Sequence, residues 1–416
     1  MVATAGVGNY EWWKYFIMPF MSGIVGWFTN VLALKMTFLP IEFFGIELFR
    51  LKEQPWGIFG WQGIIPTKAE KMASITCDLM LEKLLDIQTI FDRLEPQKFA
   101  HAMNSGLILL MDQIVEEVAM MYMPKAWETL PKKTKDDFII AAVKECPEFL
   151  TKVMKDMQNN IHDILDIKQM TVEACVQNKV LINEIFLKCG DKEFTFIRRS
   201  GFYFGFLFGC IQMIIWFFYT AKWVLPVCGF IVGWLTNYIA LKIIFRPLEP
   251  KKLCCGIYTL HGLFLKRQME VSEVFAEVIC VKILHTKALW DAILTGPLHK
   301  HFEAMLRART ILFTEKLMGS LHLVAVIALG KNNFQIMKED IATKVIQKLP
   351  DIIHQSYEYT TEALDIENTM RTKMQALSSI NFEGVLHPAF EEDEITLIMV
   401  GGFLGAIVGV AQMFMF

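Results

Sequence analysis

Charge is scarce along this 416-residue chain: Asp, Glu, Lys and Arg make up 20% of it, against 54% hydrophobic residues. A soluble domain carries about 25% charged residues, and the mean hydropathy of +0.36 points to the membrane class. The net charge is only −3 and no strongly basic domain stands out, which argues against nucleic acid as a partner. Nine cysteines form no CxxC pair and no regular spacing, so reduced thiols are expected rather than a disulfide framework or a zinc site. Cys254 and Cys255 sit just outside an expected span; acylation is open to them, but plain buried thiols are the first reading. The chain start lacks a basic n-region and a small-residue cleavage site, so no cleaved signal peptide is expected. Catalytic signatures are missing too. There is no nucleophile elbow, HExxH or dinucleotide fingerprint, and Gly330-Lys331 lacks the rest of a phosphate loop. His299 and His301 have no carboxylate or cysteine at a convincing spacing and read as solvated histidines. Neither an enzyme nor a cofactor is expected.

What the chain does have is repetition. Gly26-Trp27-Phe28-Thr29-Asn30-Val31-Leu32-Ala33-Leu34-Lys35 returns as Gly233-Trp234-Leu235-Thr236-Asn237-Tyr238-Ile239-Ala240-Leu241-Lys242, and the same 207-residue offset carries Pro19 to Pro226, Phe38 to Phe245 and Pro40 to Pro247. A closing motif also recurs, at an offset of 200: Gly201, Gly205, Gly209, Gln212 and Met213 match Gly401, Gly405, Gly409, Gln412 and Met413. The chain therefore reads as two tandem copies of one unit, residues 1–219 and 220–416.

Each copy opens and closes with a run long enough to cross a bilayer. The expected spans are 12–38, 200–219, 223–245 and 395–416. Residues 39–66 are aromatic and broken by Gly and Pro; they are expected along the headgroup surface, with a loop folded on the soluble region as the alternative. Between the spans, 67–196 and 262–392 carry helical periodicity, as in Met72, Ile75 and Leu79 or Phe149, Val153 and Met157. Leu317 to Gly330, too short to span, is expected as a buried core helix. The fold class is thus all-α: a polytopic membrane protein with four transmembrane helices and two helical extramembrane domains related by internal duplication. Counting crossings puts both helical regions on one side of the membrane. Basic residues near the spans gather on that side, Lys35, Arg198, Arg199, Lys242 and Arg246 among them, so the positive-inside bias makes it the cytosolic or an equivalent side.

Ser22, Gly26, Asn30 and Ala33 share one helix face, as do Gly229, Gly233, Asn237 and Ala240; the stripes Gly201, Gly205, Gly209, Gln212 and Gly401, Gly405, Gly409, Gln412 match them. Lipid offers no hydrophobic drive for helix pairing, so small residues bring backbones together and lone amides hydrogen-bond across. The opening and closing spans of each copy are expected to pair, Asn30 lying at the depth of Gly205 and Gln212 at that of Gly26. Packing is the preferred role of the amides over a solute site. Trp12, Trp13, Trp56 and Trp61 are expected at the interface, with Lys35 and Lys242 snorkelling to headgroups. No Asp or Glu lies within the four spans, which weighs against a proton- or sodium-coupled transporter.

The pairing of GWxTNxxALK with a glycine-and-glutamine closing span resembles domain-of-unknown-function family 445, a group of membrane proteins. Gly63-Ile64-Ile65-Pro66-Thr67-Lys68 fits the segment that follows the opening span in that family; Gly262-Leu263-Phe264-Leu265-Lys266-Arg267 fits without the proline. Leu165-Asp166-Ile167 and Leu364-Asp365-Ile366 match one another. The resemblance implies a helical domain on a transmembrane hairpin and brings no established activity. The expected role is a non-enzymatic membrane scaffold that self-associates and organises or curves its bilayer, its partners being membrane lipids and further copies of itself. Transfer of a lipid or small apolar molecule through a cavity between the helical domains and the membrane is the runner-up, followed by a channel.

Overall fold

The structure, a computed structural model, describes residues 12–46, 54–57, 60–253, 258–319, 326–327 and 329–414. Its principal helices are α1 (Trp12–Phe38), α2 (Ala69–Lys83), α3 (Asn104–Tyr122), α4 (Pro124–Thr129), α5 (Lys132–Asn159), α6 (Asp191–Phe218), α7 (Val224–Phe245), α8 (Gln268–Lys282), α9 (His299–Met318), α10 (Lys331–Ile352) and α11 (Pro388–Met413), with shorter helices between them. Four stretches, Tyr15–Phe38, Asp191–Phe218, Val224–Phe245 and Glu394–Met413, are long and apolar enough to cross a bilayer. The protein is an all-α polytopic membrane protein. Helices α6 and α11 begin ahead of the spans expected at 200–219 and 395–416, and carry the carboxylates Glu193 and Glu394 on those earlier turns.

The chain divides into two compact units. One comprises Met1–Met80, Val172–Val278 and Arg371–Phe416; the other comprises Leu81–Thr171 and Ile279–Met370. Each unit draws residues from both halves of the sequence.

In the first unit α1 packs along α6 and α7 along α11, while α6 meets α7 and α1 meets α11. Met18, Trp216, Val224 and Leu225 form a buried cluster at one end of this bundle, and Ala33, Leu397 and Val400 form another at the other end. The outer faces carry exposed Phe16, Phe20, Ile24, Leu207 and Ile211, as lipid-facing helices require. Both α1 and α7 stop at a cis X-Pro bond, Leu39-Pro40 and Arg246-Pro247.

The segment after α1, read from sequence as irregular, contains a small antiparallel sheet. Strands β1 (Phe44–Gly45), β2 (Trp56–Gly57) and β3 (Gly60–Trp61) pair in the order β1-β3-β2. A second hairpin, β4 (Lys251–Leu253) with β5 (Tyr258–Leu260), follows α7. Strands of two or three residues are too short for alternation to show in a sequence. Each sheet leads into a short helix, Ile64–Thr67 or Leu263–Lys266, entered at Gly63 (φ −54°, ψ 142°) or Gly262 (φ −50°, ψ 133°). The proline present only in the first copy thus makes no difference to the backbone at this entry. Glycine is needed there because a Cβ would sit 2.8 Å from the Leu39 nitrogen at Gly63 and 2.8 Å from the Ile244 carbonyl oxygen at Gly262.

The second unit is a bundle in which α3, α5, α9 and α10 pack on one another. Its core joins the two halves of the sequence through Phe99 stacked on Trp290 at 5.6 Å and Phe149 against Phe313 at 4.7 Å. The expected core helix from Leu317 to Gly330 is corrected here. Helix α9 ends at Met318, Gly319 turns to φ +41°, and Ile327 is 83% exposed. Residues 320–325 and 328 of that expectation lie outside the described ones.

Candidate membrane-packing and interface sites

The glycine stripes are buried against partner helices within the chain. Gly26 lies on the backbone of Gly201 and Gly205, and Gly233 on that of Gly401 and Gly405. A Cβ added to Gly205 would come 2.5 Å from the Ser22 carbonyl oxygen, and one added to Gly409 2.5 Å from the Leu225 carbonyl oxygen. Only a residue without a side chain permits that approach.

The polar residues between the glycines bond across the same seams. The Asn30 amide donates from Nδ2 to the Ile197 carbonyl at 2.7 Å, and Asn237 donates to the Leu397 carbonyl at 2.9 Å. The Thr29 and Thr236 hydroxyls instead bond within their own helices, each donating to a carbonyl one turn back, Gly26 and Gly233, at 3.1 Å. The Ser22 hydroxyl donates to Gln212 Oε1 at 3.1 Å. Gln412 is buried as well, but the position matching Ser22 is Gly229, so this bond has no counterpart in the second copy.

The register differs from the expected one by a turn. Asn30 lies at the level of Ile197 and Gly201, rather than Gly205, and Gln212 at the level of Ser22, rather than Gly26. Helix α6 runs unbroken from Asp191, so the end of its apolar run does not mark the level at which it meets α1.

At the interface end, Lys35, Arg198, Arg199, Lys242 and Arg246 are exposed. Lys242 lies over the Tyr238 ring at 5.7 Å, Arg198 bonds to Thr195 and the Phe194 carbonyl, and Arg246 faces Glu383 at 3.5 Å. Trp61 donates from Nε1 to the Met36 carbonyl at 3.1 Å, which fixes the first sheet to the end of α1, and packs edge-on to Trp56 at 5.1 Å. Phe44, Ile46 and Trp56 are left exposed on this sheet. The side chains of Trp12 and Trp13 lie outside the described residues, as do Cys254 and Cys255.

Two charged clusters escaped the sequence reading. Arg267 forks onto Glu193, at 2.8 and 2.6 Å, and also holds Glu270, which Lys192 reaches from the other side. Burial opposes the Arg267 charge, but hydrogen bonds to Glu270 and Glu193 outweigh it and raise its pKa. The exposed Glu270 is drawn down to about 2 by hydrogen bonds from Arg267 and Lys192. The second cluster places buried His387 between Glu383 at 2.8 Å and Glu394 at 2.9 Å, its ring 4.4 Å from that of Phe245. The sequence signal for the first is the basic residue closing each post-span motif, Lys68 and Arg267; for the second it is the i, i+4 spacing of Glu383 and His387, which a solvated helix face shows as well. Among the described residues no group of three or more His, Cys, Asp or Glu is placed to hold a metal ion.

An α-helical, four-span membrane protein with intramolecular glycine seams is thus defined. The chain is similar to two proteins named UPF0754 membrane protein. One, from Trichodesmium erythraeum, is 27% identical over 127 residues, 30% of this chain and 29% of the relative. The other, from Nostoc sp., is 29% identical over 150 residues, 32% of this chain and 34% of the relative. The chain thus spans about a third of the length of the curated relatives it matches. No family model matches the chain, and no solved structure matches it. The likeness supports a membrane protein of an uncharacterised family; the tie to domain-of-unknown-function family 445 stays a resemblance of motifs.

Proposed function

We propose that the protein is a non-enzymatic integral membrane scaffold that self-associates and organises or curves its bilayer. One observation carries this reading: the sheet bonded to the end of α1 bears an apolar foot, Phe44 78%, Ile46 56% and Trp56 44% exposed. A foot at the end of a span, with Lys35 beside it, belongs at headgroup level, where shallow insertion widens one leaflet relative to the other. The glycine seams are occupied within the chain, so contact between copies falls to the outer faces of the spans. Matched contacts of Asn30 and Asn237 support reading the halves as tandem copies of one unit. By crossing count and positive-inside bias, both helical regions share the cytosolic or equivalent side.

A channel along the bundle draws no support, since the glycine stripes lie against partner helices within the chain rather than on an open lumen. Transfer through a gap at the base of the spans is also disfavoured: the cavity there, lined by Leu34, Phe186, Phe194, Leu241 and Phe264, holds only about 60 Å³.

Reconstitution into liposomes at rising protein density tests the scaffold. Wild type is expected to change vesicle shape by electron cryo-microscopy and to photobleach in several steps. Phe44→Asp/Ile46→Asp, which touches only exposed side chains, is expected to insert equally well and remodel much less. Unchanged vesicles holding single copies at the highest density would sink the reading.

A further inference from the structure

We propose that the second unit holds one long acyl chain carrying an anionic head, in a part-open apolar cavity whose roof is the segment 123–131. The cavity measures about 400 Å³ and lies wholly among α3, α4, α5, α9 and α10. Met111, Ile114 and Val118 of α3, Phe149 of α5, Phe313 of α9 and Val345 of α10 make its walls. Two of the hydroxyls that reach it, on Thr310 and Thr314, are already donated to the carbonyls of Leu306 and Thr310. A buried water needs two to four polar partners, and an apolar cavity of roughly 150 Å³ stays dry and binds benzene instead. This one is larger, within the roughly 300–1,000 Å³ of small-molecule sites. In a membrane-embedded protein the apolar molecules at hand are lipid chains.

The walls and the roof are held differently. Helices α3, α9 and α10 are tied by charge: Lys344 at 2.5 Å and Lys348 at 2.7 Å to Glu117, Tyr122 to Asp340, Arg307 to Glu339 at 3.2 Å, Lys338 to Glu315 at 2.5 Å. The roof has no such ties. Helix α4 buries no residue, and among the described residues no side chain of 124–138 hydrogen-bonds outside that segment; Thr129 bonds to Lys125 and Ala126, and Lys135 covers Trp127. Met123, Trp127, Leu130 and Phe138 meet the cavity by apolar contact alone. Pro124 and Pro131 flank α4, and neither has an amide hydrogen to give. Residues 123–131 can therefore lift without parting an ion pair, hinging ahead of α5, which Lys316 holds to α9 through Glu145 and Glu148; this gives a chain its way in.

The head group follows from what surrounds the opening. Leu130 and Thr134 are cavity-lining and exposed, and Lys132, Lys133 and Lys135 stand beside them on the first turn of α5. That turn is the positive end of a 28-residue helix, where anions are favoured. Asp136 and Asp137 come next, leaving an excess of positive charge at the opening. A carboxylate or phosphate there meets the lysines while its chain lies inside.

Photo-crosslinking of the full-length protein in nanodiscs tests this, with chain-diazirine palmitate, chain-diazirine lysophosphatidic acid and the uncharged chain-diazirine hexadecanol as probes. Labels are expected on residues 111–138, 310–318 and 337–345, removed by excess oleate. Val118→Trp and, separately, Thr314→Phe fill the cavity and are expected to cut labelling of that unit at least tenfold, leaving labelling of the spans as the folding control. Lys132→Glu/Lys133→Glu/Lys135→Glu should lower labelling by the two anionic probes several-fold and leave hexadecanol unaffected. Labelling by palmitate only, or by the lysophospholipid too, identifies the source of the chain. Label confined to the spans, or undiminished in a folded cavity-filling variant, overturns the site. Equal labelling by hexadecanol and the anionic probes overturns the anionic head.

Discussion

Glu117 receives two lysines from the neighbouring helix, Lys344 and Lys348, and their hydrogen bonds draw its carboxyl down to about 2 from an ordinary 4.5. A carboxylate with a lowered folded pKa contributes stability that is complete above the ordinary value and disappears as pH falls through the folded one. The window is therefore pH 4.5 to 2. The group is solvent-exposed and screened, so the effect is modest. Unfolding followed by tryptophan fluorescence across this window should fall less steeply for Lys344→Ala/Lys348→Ala than for wild type; equal slopes would remove Glu117 from the tie between α3 and α10. At this scale the sequence was informative where a residue's type settles its role. Gly26, Asn30 and Gly205 read first as packing residues in a span. Glu117 and Glu193 could not be singled out, because what distinguishes them is a partner far along the chain.

The helices themselves were legible because a span is declared by length and hydropathy alone. Pairing was legible too, because small residues every fourth position leave one face with nothing else to offer. Register was not. A slide of one turn keeps every small residue facing a small residue, and the choice is made by side-chain bonds such as Ser22 to Gln212. Cysteine pairs check it. Ser22→Cys with Gln212→Cys is expected to cross-link readily under oxidant in native membranes, and Asn30→Cys with Gln212→Cys, two turns further along, not at all. The reverse pattern would overturn this register. The little sheets were invisible for a different reason: two paired residues carry no period.

For the whole molecule, sequence symmetry and compactness divide the chain differently. The opening and closing motifs recur between 1–219 and 220–416, yet Phe99 stacks on Trp290, Phe149 meets Phe313, and Asp156 pairs with Arg309, each across that division. Residues 1–219 expressed alone should therefore be cut by trypsin throughout 81–171, and co-expression of 220–416 as a separate chain should protect them. Resistance of 1–219 by itself would mean the shared core is dispensable.

The order of residues alone determined the class, the four spans and which faces of them are small, since each depends on properties read within one helix. Tertiary structure decided the one-turn register, the two sheets, the apolar foot and the 400 Å³ cavity. A cavity is the volume that five helices fail to fill together, and no single helix, nor any periodicity along it, records what its neighbours leave empty.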